Sequence, residues 1–519
     1  MQEQEIKLSV PVSARKAIAA TLSATGQKRI RLRAMYFDTP DRQLARQHAA
    51  IRLRQEGRKW VQTFKMAGKD ALTRVELNHP RNTPQLDLSV YAGTPAETVF
   101  AHLKGELALR YETDVWRTRC EIRTRTGTVE AAYDDGVVRA GDLELPLHEV
   151  EFELLSGRVG ALFTLAKKWT VQHKLVLDVR SKAERGDRLA NAAAAIVAAP
   201  EAERVQVRQD EIARYWAPTL ADKVTLAPRA TPGQALDIIT AECFDQIVRN
   251  AAALSGIDSA VGAATIGAEH VHQLRVGMRR LRSAWRLFKG WAPLPDEAAQ
   301  EAAAEYFGQF GEARDGDVLG DTVVPILTAA GMPPVELPQA GDAPDAAVVA
   351  ASPPFQTWLL DLLAWNVGVR PEPTPLLAPM TSVVAVPLQP GKLATPVVKR
   401  LKKWHKRLVE DGRRFHRLED EARHDLRKLA KRLRYGLSFT ESLFDADHVK
   451  PYRKRLSVLQ DALGEINDLV VARETYLALA ETQPPAWFAV GWIGARLEVL
   501  YKGAEEEFRA LDDTRPFWK

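Results

Sequence analysis

Two periodicities divide the chain. Up to about residue 190, apolar and polar residues alternate one by one. The pattern is clear in EQEIKL from Glu3, AIRLRQEG from Ala50, KWVQTFKMAG from Lys59, TRVELN from Thr73, the run Arg117–Gly136 and HEVEFELLSG from His148. Alternation of period two sends successive side chains to opposite faces of a strand, and Gly or Pro between many of the runs marks turns. From residue 229 onward the period changes. Leu274, Met278, Leu281 and Trp285 recur at helical spacing and give one apolar face. The expected fold class is therefore α+β, a two-domain chain with a β part followed by an all-α part.

The polar face of the strands is unusual because it is charged in ordered pairs. Glu3, Glu5 and Lys7 share a face, as do Arg52 and Arg54, Arg74 and Glu76, Arg117 and Arg119, and Glu149, Glu151 and Glu153. A solvated, salt-bridged outer face explains any one such strand. Repetition over six strands points instead to a closed barrel with a charged interior. So many bases call for an anion of several charges. The carboxylates would repel it unless a divalent cation lies between them, and Mg2+ or Mn2+ takes oxygen ligands from protein and phosphate alike. Glu-x-Glu on a strand offers two carboxylates about 7 Å apart on one side.

The helical part contains a repeat. HQLRVGMRRLR (His272–Arg282) and HDLRKLAKRLR (His424–Arg434) share His, Leu, Arg, a base, Arg, Leu and Arg in register. Each is followed, after a nearly constant gap, by Gly-Glu-x-x-Asp-x-x-Val, from Gly311 and from Gly464. Two repeats imply two helical bundles. On the first helix His272, Arg275, Arg279, Arg282 and Arg286 gather on one side. Like charges at i, i+3 and i+4 oppose helix formation, so the stripe implies an anion or acids from a partner helix. The second stripe holds His424, Arg427, Lys431 and Arg434.

Length allows two or three domains. The net charge is only +5, yet residues 399–434 carry 15 Lys and Arg against 6 Asp and Glu, so basicity is local. Two cysteines, Cys120 and Cys243, exclude a disulfide framework. The charged N-terminus argues against a signal peptide, and ANAAAAIVAAP is too short to span a bilayer. The expectation is a cytoplasmic protein with no membrane partner, for which polyphosphate granules are a candidate place of association. A nucleic-acid partner is disfavoured, since no aromatic platform is interleaved with the bases. No Walker-type Gly-rich loop is present. Asp38 before Thr-Pro reads as a turn cap.

These motifs resemble two known families. Glu3-Gln4-Glu5-Ile6-Lys7, YFDTPDRQL, RLR, TFK, RVE, AAYDDG, HEVEFELLSG and SKAERG are similar, in order, to the blocks of the CYTH domain, the triphosphate tunnel metalloenzymes. The two His-Leu-Arg helices with their Gly-Glu-x-x-Asp segments resemble the CHAD domain. The resemblance implies an eight-stranded antiparallel tunnel over 1–195, a linker over 196–228 and a double helical bundle over 229–510. It implies that Lys7, Arg52, Arg54, Lys65, Arg74, Arg117, Arg119 and Lys182 clamp a triphosphorylated substrate. Glu3, Glu5, Glu76, Asp134, Glu149, Glu151 and Glu153 would hold the metal, with Glu3, Glu5, Lys7, Glu149 and Glu151 at the catalytic centre. The two basic stripes would bind inorganic polyphosphate, with Asp315 and Asp468 orienting the bases. The order of the domains resembles that of bacterial inorganic triphosphatases, so hydrolysis of inorganic triphosphate to pyrophosphate and phosphate is the expected activity. Alternatives are a non-catalytic polyphosphate-binding scaffold, or a tunnel enzyme acting on thiamine triphosphate or ATP, including a cyclase.

Overall fold

The computed structural model describes residues 2–23, 29–68, 70–256, 265–337, 345–369 and 393–518, without the side chains of 2, 312–318 and 321. The proline-rich stretch 370–380, the segment 338–344 and the side chain of Asp315 thus lie outside the described residues. The described residues form two compact units, one drawn from 1–220, 245–274 and 347–374, the other from 221–244, 275–346 and 375–519. Among them no helix is long and apolar enough to cross a membrane. Cys120 and Cys243 are both free and buried.

The first unit is built on nine strands: β1 (Gln2–Ser9), β2 (Ile30–Asp38), β3 (Ala49–Glu56), β4 (Lys59–Ala67), β5 (Thr73–Arg81), β6 (Ala108–Arg123), β7 (Gly127–Ala140), β8 (Leu143–Gly157) and the short β9 (Val176–Leu177). They are ordered β5-β4-β3-β2-β6-β7-β8-β1-β9, and β1 also pairs with β5. Strands β1 to β8 therefore close into an eight-stranded antiparallel barrel, and β9 adds to β1 outside the ring. Two tight hairpins set the register. Gly57 and Gly141 take φ of 64° and 53° at the first turn position between the pairs Glu56/Lys59 and Ala140/Leu143, a conformation that favours glycine there.

Register carries one face around the ring. Glu3 lies opposite Arg74, Lys7 opposite Glu151, Glu149 opposite Asp134 and Asp134 opposite Arg117. Arg117 lies opposite Ile30, Tyr36 opposite Arg52 and Lys65 opposite Glu76. This is the inner face, and it has two halves. At one end Leu32, Ala34, Tyr36, Tyr111, Val115, Val138, Leu145 and Leu147 pack against Leu189 and Ala190 of the helix Lys182–Ala198. The other end carries the charges. The opposite face is apolar on β1 and β8, where Ile6, Leu8, Val150 and Phe152 are buried, whereas on β2 and β6 it carries the exposed pairs of Arg31 and Arg33 with Asp114. Phe64 and Ile51 join Leu44, Tyr91 and Ala96 in a second outer cluster. On β1, β3, β4 and β8 the apolar side thus faces the covering helices, and the charged side faces the lumen.

The stretch 355–367, expected as an amphipathic or buried helix, lies in the helix Pro353–Asn366 of this unit. Its buried Gln356 accepts from the Leu177 amide at 2.8 Å and donates to the Ala350 carbonyl at 2.6 Å. The second unit contains the helices Ala394–Gly412, Asp420–Thr440, Ala446–Leu479 and Ala486–Asp513, and most of Ala268–Phe288 and Glu297–Val318. Leu274, Met278, Leu281 and Trp285 are all buried, as their spacing predicts.

Beside β9, Asp178 is buried with two arginines. Its carboxylate accepts from the Arg180 amide at 3.0 Å, from Arg180 Nε at 3.0 Å and Nη2 at 2.8 Å, and from Arg185 Nη2 at 2.9 Å. Burial alone would raise its pKa; Arg180 and Arg185 outweigh burial and hold the carboxyl well below its ordinary 3.8. Asp178→Asn would remove the carboxylate shared by both guanidiniums, a loss of about 3–5 kcal/mol in denaturant unfolding at neutral pH. A depressed carboxyl stabilises above its unfolded pKa and loses that stabilisation as pH falls through the folded value. The gap between wild type and variant should therefore close in melts taken below about pH 4.

Candidate active site and basic helices

Inside the charged half of the barrel, acids and bases interleave. Lys182, at the start of its helix, reaches across the lumen. Its Nζ lies 2.8 Å from Asp134 and 2.9 Å from Glu151, and it also pairs with Glu149. Arg117 makes a forked pair with Asp134, at 2.7 and 2.6 Å, and reaches Glu151 at 2.5 Å. Lys7 bridges Glu5 at 3.1 Å and Glu151 at 3.5 Å. Arg185, one turn after Lys182, touches Glu149 at 3.3 Å. Ligand atoms of Asp134, Glu149 and Glu151 all lie within 4.8 Å of one another.

A second group stands beside the first. Lys65 pairs with Glu3 at 3.4 Å and with Glu76. Arg52 lies 3.9 Å from Glu76 and donates to the Tyr36 hydroxyl at 3.2 Å. Tyr36 stacks on Tyr111 with ring centroids 4.6 Å apart, where the charged half meets the apolar half.

Electrostatics differ between the groups. Burial raises the carboxyls of Glu3, Glu5, Glu76, Glu151 and Glu153, and the bases decide the outcome. Lys182, Arg117 and Lys7 outweigh burial and hold Glu151 well below the usual range. Lys7 does the same for Glu5. Lys65 and Arg52 bring Glu76 down to about 2. At Glu3 burial wins, helped by Glu76 and Glu153 against Lys65, and the carboxyl rises to about 8. Burial and Glu130 raise Glu153 as well.

In the second unit the two basic helices bring their stripes together. Arg275, Arg279 and Arg282 lie over the ring of Phe307, at 4.8, 5.5 and 5.6 Å from its centroid. Gly311 gives the first of them room, since a Cβ there would sit 2.8 Å from Arg275 Nη2. From the facing helix come Arg427, Lys431 and Arg434. Burial and the neighbouring Arg279, Arg427 and Arg434 push Lys431 down to about 6, with Asp468 acting the other way. His424 meets Asn467 at 3.2 Å. His272 stands one turn before Arg275 on the same helix.

Comparison with known proteins agrees with both halves. Residues 1–186 match the CYTH domain, and residues 238–477 match the CHAD domain. The chain carries a CYTH domain followed by a CHAD domain. An inorganic triphosphatase of Haemophilus influenzae is 29% identical over 198 residues, which cover 35% of this chain and 54% of that protein. The match thus spans about half the length of that relative. An uncharacterized protein of Mycobacterium tuberculosis is 27% identical over 482 residues, 88% of this chain and 84% of its own. The crystal structure of the CHAD domain from the plant Ricinus communis is 29% identical, with a TM-score of 0.46, covering 58% of this chain and 98% of that one.

Within the CYTH barrel, the residues singled out from sequence do not all converge. Glu3, Glu5, Lys7, Arg52, Lys65, Glu76, Arg117, Asp134, Glu149, Glu151 and Lys182 line the charged half, and Glu153 is close by. Arg54 pairs with Glu56. Arg74 turns toward the backbone carbonyls of Thr73 and Asp70, at 2.9 and 3.5 Å. Arg119 is 54% exposed and 3.4 Å from Glu130. Asp38 is a cap, accepting from the amides of Thr39, Leu44 and Ala45 at 2.7–2.9 Å. Sequence reasoning missed Arg185, Tyr36 and Phe307. Arg185 was legible as the next turn of the helix face that starts at Lys182; nothing in the sequence marked Phe307 as the ring beneath three arginines.

Lys182 depends on how closely its helix approaches the barrel floor. A Cβ on Gly186 would fall 2.1 Å from the Tyr111 ring, which Tyr36 holds from the other side. Gly186→Ala should cost about 1–3 kcal/mol in chemical denaturation. In a Tyr111→Leu background the same change should cost clearly less, because the smaller side chain leaves room. Equal costs in the double-mutant cycle would show that the contact does not set the packing.

Proposed function

We propose that this chain is a metal-dependent hydrolase of inorganic triphosphate, with a helical domain that binds inorganic polyphosphate. The convergence of Asp134, Glu149 and Glu151 beside Lys7, Arg117 and Lys182 inside a closed barrel carries the reading. Oxygen-only donors at this spacing suit a hard divalent cation, Mg2+ or Mn2+. Asp134, Glu149 and Glu151 would hold it, with Glu3, Glu5, Glu76 and Glu153 extending the acidic lining. A bound divalent cation would neutralise phosphoryl charge and lower the pKa of a coordinated water.

The chain's own bases do the rest. Lys182 and Arg117 now neutralise the three acids, and Lys7 joins Glu5 to Glu151. With the acids turned to a cation, these bases face the oxyanions of the substrate. Arg52 and Lys65 stand ready for the far end of a linear chain, and Tyr36 keeps the Arg52 guanidinium in place. Fixed cations of this kind position the phosphate groups and stabilise charge on the departing diphosphate without reorganisation. Water attacks the terminal phosphorus, the bridging P–O bond breaks, and orthophosphate and pyrophosphate leave.

Phosphate release from triphosphate, ATP, thiamine triphosphate and long-chain polyphosphate, with Mg2+, Mn2+ or chelator, tests the reading. Triphosphate should be preferred and chelator should abolish release. Glu5→Gln and Glu151→Gln should each lower turnover by on the order of 10²–10³. Absence of release from all four substrates, with polyphosphate still bound, would leave a binding scaffold and remove the hydrolase.

On the helical domain, His272, Arg275, Arg279, Arg282, His424, Arg427, Lys431 and Arg434 are the proposed polyphosphate contacts. Lys431 supplies a specific test. Its amine is pushed from 10.5 to about 6, so between those values it is neutral in the free protein. A bound polyanion restores the proton. Binding at pH 7–8 should therefore take up about one proton per site, and affinity should weaken as pH rises. Calorimetry in two buffers of different protonation enthalpy reads the uptake. Intact binding with no uptake would remove Lys431 from the contact.

A further inference from the structure

Three helices of the second unit meet at one point, and each brings an arginine. Arg400 of Ala394–Gly412 fastens that helix to the end of Ala268–Phe288. Its Nη1 donates to the carbonyls of Arg286, Leu287 and Lys289 at 3.1, 2.8 and 2.8 Å, and its guanidinium lies 3.9 Å from the Trp291 ring centroid. Asp420–Thr440 approaches both at Gly436, where a Cβ would fall 2.8 Å from Leu401, 3.3 Å from Trp404 and 3.9 Å from Leu287. One turn before Gly436 stands Arg432. Beside Leu287 stands Arg286. Three residues beyond Trp404, on the exposed side of its helix, stands Arg407.

The patch is short of acids. Arg432 feels Arg286, Arg407 and Arg282, with Asp425 as the acid acting on it, and burial and these like charges bring it down to about 10. Asp425 is itself 3.4 Å from Lys428, and Arg407 has an exposed partner in Asp411 at 3.5 Å. Arg432 Nε is buried without an acceptor among the described residues. Arg282 lies one turn before Arg286 and also over Phe307, so it links this patch to the stripe above.

We propose that Arg286, Arg407 and Arg432 form a second phosphate-binding lane, continuous through Arg282 with the first stripe, so that a long linear polyphosphate is gripped on both lanes and a short one on the first alone. The proposal rests on the polyphosphate reading of the helical domain. Guanidinium forks match phosphate oxygens. A base-bearing strand fits less well, because arginines already lie over the rings of Phe307 and Trp291.

The test uses the full chain and leaves the barrel untouched. In Arg286→Gln/Arg407→Gln/Arg432→Gln, affinity for long-chain polyphosphate should fall about tenfold or more at low salt, and the slope of log K against log salt should flatten by about 2. Affinity for a short oligophosphate should hold. The matching triple lysine variant, which keeps the charge, should retain most of the long-chain affinity and the slope. Arg279→Gln/Arg427→Gln should weaken both chain lengths. Long-chain affinity and slope unchanged in the triple Gln variant, with binding lost in Arg279→Gln/Arg427→Gln, would overturn the second lane and leave the first. A loss confined to single-stranded DNA would overturn it also. No polyphosphate binding by the unaltered chain would sink the underlying reading together with the lane.

Discussion

A charge taken out of water must find a partner, and in this barrel the partners come from other strands. Closure by β1 on β5 brings Glu3 opposite Arg74 and sets the charges of β1, β3, β4, β5, β6, β7 and β8 that share this register toward one lumen. Once inside, no carboxylate is stable alone: burial would neutralise Asp134 or Glu151, and Arg117 and Lys182 keep them ionised. The same pairing that makes the fold tolerable makes the site usable. Acids and bases that neutralise one another in the free protein can each be turned to a new partner, the acids to a cation and the bases to a polyanion, without leaving a bare charge.

The helical domain meets the opposite condition. Its stripes pool charges of one sign, and the cost appears at Lys431, whose amine gives up its proton rather than join Arg279, Arg427 and Arg434 as a fourth cation. Phe307 eases the crowding, since the face of its ring attracts the guanidiniums above it. That is a physical distinction between the two domains: inside the barrel acids and bases alternate, and on the helical stripes the bases gather.

Much of this was legible in the sequence. Period-two alternation gave the strands, and the charged side proved to be the inner one on β1, β3 and β8, while on β2 Arg31 and Arg33 face outward and Leu32, Ala34 and Tyr36 face in. Repeat spacing gave the two basic helices. What did not show was where long side chains would turn. Arg74 and Arg119 share the inner register with Glu3 and Arg117, yet Arg74 bends to backbone carbonyls and Arg119 lies out toward solvent beside Glu130. A two-residue period fixes the face of a Cβ and leaves three or four further torsions free. The resemblance had named Asp134 among the metal-holding acids, and the cross-strand register set by hairpins is what brings it beside Glu149 and Glu151.

The repeat also conceals an asymmetry. Gly311 is needed because Arg275 lies against it, whereas Gly464 has nothing within 4 Å of where a Cβ would be. At the place in the second copy that corresponds to Phe307 stands Gln460, whose amide donates to the Ala430 carbonyl at 2.7 Å. The first copy thus uses its glycine and its aromatic ring to seat arginines, and in the second Gln460 ties two helices together while Gly464 meets nothing. Similar sequences at a similar interval have diverged in what they do. The first helix presents a row of guanidiniums braced from below. The second contributes an amine that burial and its cationic neighbours push down to about 6, so in the proposed binding of a polyanion the fixed row would supply affinity while the amine would make that affinity respond to pH.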